Sequence, residues 1–268
     1  MKIKLYSDAH TKFVNKNYLN KKISNEEINR VKKIENIRFI EKPELKNYPG
    51  KIYDLNQKVR GVSEIVHDLS SYNDKVDILS LGCGYGDKEI WLARSNKNFN
   101  LDCIDNSPYV NSLNKVTNKF NLKNIKFKNA DILRFNSRKK YDVIFCWAVI
   151  YCFEDHQLLE FYEKVKKLLK HNGIFYLGTT SVISPYFKMK TFIKNLLTIK
   201  PFQKNLIVTG WMRDEKEILR LLKNHFYLTD KTYFDHSGHY IFLRRFNYLL
   251  KMISCNIFSP TILFKLKK

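Results

Sequence analysis

The stretch that most constrains this chain is Val76 to Glu89, VDILSLGCGYGDKE. A short apolar run, Ile78 to Leu81, passes directly into Gly82, Gly84 and Gly86, and a helix-like run follows from Asp87. The pattern predicts a buried strand, a tight turn and a helix N-terminus. Glycines without Cβ admit positive φ and let a ligand lie against the backbone. The first N–H groups of the helix are unpaired and favour polar or anionic ligand atoms. A nucleotide-like ligand is therefore expected at this first strand–helix junction. The spacing is G-x-G-x-G: the dinucleotide fingerprint would need its third glycine at position 87, which is Asp87.

Composition bounds the rest. The chain has 268 residues, and 44% hydrophobic content is enough for a real core. Its five cysteines are odd in number and form no C-x-x-C, so neither a disulfide framework nor a zinc ribbon is expected. No signal-peptide core and no run of eighteen apolar residues is found, which leads us to expect a cytoplasmic setting. The formal net charge of +22 would suit a polyanion. Lysine is spread evenly through presumptive surface helices, however, and compositional drift is favoured over a dedicated polyanion site.

Further along, Leu55, Val59, Val62, Val66 and Leu69 fall at helical spacing. Strands are expected at Asn100 to Ile104, Ile125 to Lys128, Tyr141 to Val149 and Gly173 to Gly178. The helices between them are Lys88 to Arg94, one opened by Pro108, and Leu158 to Leu169. This alternation with short connections argues a doubly wound, mostly parallel sheet, with its ligand at the carboxyl ends of the strands. Asp105 closes the second strand nineteen residues beyond Gly86, where a carboxylate is placed to accept from a ribose diol.

The run LSLGCGYG, with CIDNSP after the second strand, resembles motif I and its sequel in class I S-adenosylmethionine (SAM) dependent methyltransferases. The resemblance covers roughly Tyr53 to Gly178. It implies a Rossmann-like, seven-stranded sheet closed by an antiparallel pair, with SAM as cofactor. One departure stands inside the motif: Ser80 occupies the strand position that is usually acidic. The resemblance further implies that Gly82, Cys83, Gly84 and Gly86 form the turn, that Asp105 with Asn106 meets the ribose, and that Asp131 and Ile132 border the adenine. Cys146, Trp147 and Tyr151 would lie at the methionine end and toward the acceptor. The alternative for Asp131 is a plain turn aspartate, and for Trp147 a core residue.

Around this core we expect an N-terminal helical or lid segment over 1–52, a SAM-binding domain over 53–246 with a substrate-side insertion at 179–212, and a basic apolar tail over 247–268. The closing antiparallel pair is expected as a hairpin, Phe226 to Phe234 with His239 to Arg245, turning at Ser237-Gly238. For the tail, Tyr248 to Lys268, two readings stand. One is an interfacial helix on an anionic membrane surface; the other is an extra helix packed back onto the sheet.

The expected activity is methyl transfer to a small-molecule or glycan-precursor acceptor at oxygen. An oxygen acceptor calls for a base. Candidates are Tyr151, Glu154, Asp155, Asp214, His236 and His239, with the histidines favoured because they titrate near neutrality. Metal binding at His236 and His239 is not expected. The base-amine motif [DNS]-P-P-[YF] is missing where Cys146 to Val149 stand, and no Pro-Cys or Cys-Pro pair occurs, which argues against a nucleic-acid partner. An RNA methyltransferase, favoured by charge, and a non-catalytic SAM-fold binding protein are the alternatives.

Overall fold

The computed structural model describes residues 62–69, 74–106, 110–180, 213–234 and 261–268, apart from positions 63, 85 and 120. The expected N-terminal segment, most of the insertion, and His236, His239 and the expected strand from His239 to Arg245 lie outside the described residues.

Among the described residues seven strands form one sheet in the order β3-β2-β1-β4-β5-β7-β6. They are β1 (Val76–Leu81), β2 (Phe99–Asp105), β3 (Ile125–Asn129), β4 (Tyr141–Trp147), β5 (Leu169–Thr180), β6 (Tyr227–Phe234) and β7 (Thr261–Lys267). The first five pair in parallel, and β7 pairs antiparallel to both β5 and β6. The helices are α1, over 64–69, then α2 (Asp87–Ser95), α3 (Val110–Lys119), α4 (Asp155–Leu168) and α5 (Glu215–Leu222).

The central strands read as near-continuous apolar runs because helices cover both faces. On one face Ile65 and Leu69 of α1, Ile90 and Ala93 of α2 and Leu113 of α3 pack on Ile78, Leu101 and Val143. On the other, Leu158, Phe161 and Val165 of α4 and Ile218 and Leu222 of α5 pack on Leu79, Ile144 and Phe175. Order reverses between β1 and β4, so the ligand crevice belongs at their carboxyl ends.

Two expectations need correction. The helix expected to reach Leu169 stops at Leu168, and the strand expected from Gly173 already begins at Leu169 with a bulge: the register runs from Tyr141↔Leu169 to Val143↔Ile174. The larger correction concerns the C-terminus. Thr261 to Lys267, placed in a tail read as an interfacial helix or as an extra helix packed onto the sheet, is instead the strand β7, which fills the gap between β5 and β6. Ile262, Leu263, Phe264 and Leu266 are buried. Lys265 pairs with Asp68 of α1 at 2.7 Å, and the Tyr176 hydroxyl donates to the same carboxylate. Burial pushes that carboxyl up, but the bonds from Lys265 and Tyr176 outweigh it and hold Asp68 below its usual range. The antiparallel pair that closes the sheet is present, but its second strand comes from the end of the chain, after residues 235–260.

Candidate functional site

The turn after β1 is built as the glycine spacing demands. Gly82, Gly84 and Gly86 have φ of 78°, 54° and 72°. Gly82 N and Cys83 N both donate to Ile104 O, which ties the turn to the end of β2. Each glycine is needed for a different reason. A Cβ on Gly82 would stand 2.2 Å from Val149 Cγ2, and one on Gly86 2.9 Å from the Phe127 ring. At Gly84 nothing among the described residues lies within 4 Å. Gly84 therefore presents bare backbone to open space at the carboxyl ends of the strands, the cradle that a side chain would fill.

Asp105 ends β2 beside it. Its Oδ2 accepts from Gly84 N at 2.7 Å, so this carboxylate orders the turn as well as facing the crevice. Ala130 N donates to Asp105 O and draws the loop after β3 alongside. In that loop Asp131 Oδ1 accepts from Leu133 N at 2.8 Å, a turn-forming bond, and its side chain is exposed. Ile132 is half-buried against the α4-side core. Lys164 of α4 holds the loop from behind through Leu133 O and Phe135 O. Asn106 follows Asp105 and is exposed. The structure thus brings the glycine turn, Asp105 and the Asp131–Ile132 loop together.

The thiols expected at the cofactor are placed differently. Cys83 and Cys146 are each 1% exposed, so at these two positions the backbone borders the crevice while the sulfur belongs to the core. Burial pushes both thiols well above their ordinary value. Trp147 lies against Gly178 of β5, where a Cβ would meet its ring at 2.2 Å.

Beyond β4 the chain makes a hook. Ala148 takes φ of 57°, uncommon for a residue with a Cβ, and its N–H donates to Gly178 O at 2.8 Å. This reversal lays Val149 over Gly82 and leads into a single 3-10 turn, Ile150–Cys152, which carries the half-buried Tyr151. The Cys152 thiol is pushed up to about 12, by burial and then by the Asp105 charge. The hook and the end of β2 therefore face each other within electrostatic reach.

Arg213, which sequence reasoning missed, locks the hook. Its Nη1 donates to Ile150 O at 3.1 Å and Nη2 to Phe153 O at 2.7 Å, while Nε and Nη2 both reach Asp155 Oδ1. The side chain is 3% exposed. It immediately precedes Asp214 and follows the insertion, so one buried fork joins the end of that segment to the floor of the crevice. The sole sequence signal was its place before a helix cap.

Three candidate bases have structural employment. Glu154 closes a capping box with Gln157 at the start of α4, Asp155 holds Arg213, and Asp214 caps α5 by accepting from Glu217 N at 2.8 Å. Among the described residues no group of three or more His, Cys, Asp or Glu could hold a metal.

Comparison with known proteins agrees with this geometry. The sequence profile of the Methyltransferase domain family matches residues 72–225. A probable (S)-tetrahydroprotoberberine N-methyltransferase 2 of Papaver bracteatum is 29% identical over 106 residues, 39% of this chain and 28% of that protein. The chain spans at most 37% of the length of the curated relatives it matches. Among solved structures, magnesium protoporphyrin IX methyltransferase from Synechocystis PCC 6803, with bound S-adenosylhomocysteine, aligns at a TM-score of 0.61 and 14% identity, covering 98% of this chain and 99% of that one. Mitomycin 7-O-methyltransferase aligns at 0.57 and 11% identity, covering 80% and 54%. With the family profile spanning more than half of its residues and the seven strands in this order, the chain belongs to the methyltransferase-domain family and has the class I SAM-dependent methyltransferase fold.

Proposed function

We propose that the chain transfers a methyl group from SAM to a small-molecule acceptor, a glycan precursor included, at oxygen. The observation that carries the donor half is Gly84. It is left-handed, open to the crevice and bonded to Asp105, so backbone and carboxylate stand side by side where a nucleoside must lie. Asp105 would hold the ribose and the Asp131–Ile132 loop the adenine. SAM supplies an electrophilic methyl on a sulfonium. The protein's work is then to align the acceptor and to exclude water. The hook from Trp147 to Phe153 supplies a rigid wall for this, because Arg213 and Gly178 O fix it at both ends.

The small-molecule reading is supported by the names of the relatives, which describe methyltransferases of alkaloid, porphyrin and mitomycin compounds. A second reading, nitrogen as the acceptor atom, is supported by the N-methyltransferase among them and by the structural use of Glu154, Asp155 and Asp214.

Calorimetry tests the donor half: SAM should bind in the micromolar range, about 8 kcal/mol, and Asp105→Ala should lose at least about 1.5 kcal/mol. Equal affinity of wild type and variant would sink the ribose assignment. Methyl-labelled SAM with metabolite and glycan extracts tests the acceptor half. Label appearing in RNA rather than in small molecules would replace this reading with the nucleic-acid one.

A further inference from the structure

Beneath the glycine turn lies a buried charged cluster that the donor contacts above do not use. Ser80 of β1 is 1% exposed and Glu89 of α2 is wholly buried. Ser80 Oγ donates to Glu89 Oε1 at 2.7 Å, and Lys88 Nζ stands 4.0 Å from the same oxygen. Lys88 itself is 6% exposed. The cluster joins the end of β1 to the first turn of α2, on either side of the glycine turn. Glu89 and Lys88 both act electrostatically on Cys83 inside the turn, and Lys88 also acts on Cys146 in β4.

A carboxylate sealed from water is expensive to keep, and a well-packed apolar side chain commonly serves the fold as well or better. Nothing in the packing of α2 on the sheet asks for a charge at position 89, where Ile90 and Ala93 already supply apolar contacts. The cluster does coincide with the one departure in the motif. Position 80, usually acidic in the family the motif resembles, is serine here. The oxygen of an acid nine residues later arrives within hydrogen-bond distance of that serine.

Resting on the proposed donor, we propose that Glu89 supplies from α2 the negative charge that β1 lacks at Ser80, and that this charge favours the cationic methyl donor at the turn. SAM carries a sulfonium and S-adenosylhomocysteine a neutral sulfur, so an interior carboxylate beside the turn discriminates between them. Glu89 is then a positioning residue for donor binding. Removing its charge weakens the donor more than the product.

The test is calorimetry of SAM and S-adenosylhomocysteine with wild type, Glu89→Gln and the exchange variant Ser80→Asp/Glu89→Ser, each checked for a cooperative thermal melt. Glu89→Gln should bind SAM at least tenfold more weakly, with a smaller loss for S-adenosylhomocysteine. The exchange variant, which returns the acid to the strand and moves the hydroxyl to the helix, should recover SAM affinity to within about threefold of wild type. Wild-type affinity in Glu89→Gln, equal losses for the two ligands, or no recovery on exchange would overturn the proposal. So would loss of the fold in both variants, since Glu89 would then be a folding residue. Failure of the wild type to bind SAM would overturn the proposed function, and this inference with it. A binding wild type with an indifferent Glu89→Gln overturns the inference alone.

Discussion

Gly84 and Gly86 stand two residues apart with similar backbone angles, yet substituting each by alanine should damage different properties. Both occupy the left-handed region, which costs a residue with a Cβ about 1–2 kcal/mol, partly offset by an alanine's lower unfolded-state entropy, about 0.4–1 kcal/mol. At Gly86 a second cost is added. The new methyl would meet two atoms of the Phe127 ring at 2.9 Å and Leu113 Cδ1 at 3.1 Å. Both neighbours are buried between α3 and β3, so neither can swing away. Overpacking of this kind costs about 1–3 kcal/mol. Gly86→Ala should therefore lose about 2–4 kcal/mol of stability, by the sum of strain and overpacking. Gly84→Ala meets no described atom within 4 Å and should lose only about 1 kcal/mol, from strain alone. Its methyl would fill the space assigned to the donor, so SAM affinity should fall at least about tenfold, or 1.4 kcal/mol. Urea unfolding and SAM calorimetry on the same preparations separate the two properties. The reasoning fails if Gly84→Ala binds SAM within threefold of wild type, or if Gly86→Ala is no less stable than Gly84→Ala.

Three further outcomes are expected. Arg213→Ala leaves Asp155 and two loop carbonyls without their donor, and should cost about 3 kcal/mol in urea unfolding; a loss under about 1 kcal/mol would show that the fork does not hold the hook. The Cys152 thiol at about 12 is protonated below that pH, so at pH 8 roughly one molecule in ten thousand carries the thiolate that reacts. Iodoacetamide at pH 8 should leave Cys152, Cys83, Cys103 and Cys146 unlabelled in the native protein, which peptide mass mapping would check; rapid native labelling of Cys83, Cys103 or Cys146 would contradict their burial, and of the half-buried Cys152 its raised pKa. A chain ending at Pro260 lacks β7 and should show no cooperative melt, whereas a detachable tail would leave the melt unchanged.

The half of the sheet around the turn was legible because each of its strands is a local signal. Ile78 to Leu81, Asn100 to Ile104 and Ile125 to Lys128 each fall within a single strand, and the helices between them repeat at 3.6 residues. What failed was non-local. Thr261 to Lys267 reads TILFKLK, an apolar run with lysines, and its sequence alone fits a membrane face as well as a sheet interior. Only the pairing with β5 and the ion pair to Asp68, far away in the chain, decide it. The partner of β6 was expected at His239 to Arg245, outside the described residues, whereas β7, from further along the chain, pairs with both β5 and β6. Arg213 was missed for the same reason: its partners Ile150, Phe153 and Asp155 lie about 60 residues earlier, so no local pattern announces it. Cys83 and Cys146, expected at the cofactor, have buried side chains, since alternation at the ends of strands does not say which atoms a ligand touches.

The position of β7 also sets an order of events during synthesis. β6 leaves the ribosome before β7, yet in the sheet it touches β5 only through β7. Until residues 261–267 emerge, neither β5 nor β6 has, among the described residues, the partner that β7 gives it. An unpaired strand edge is a template for pairing with other chains. Closing it afterwards requires a strand to insert between two others across a long stretch of intervening chain, a slow class of step. The nucleoside-binding half, β1 to β4, can assemble during translation, while the half of the sheet that flanks the insertion waits for the last strand.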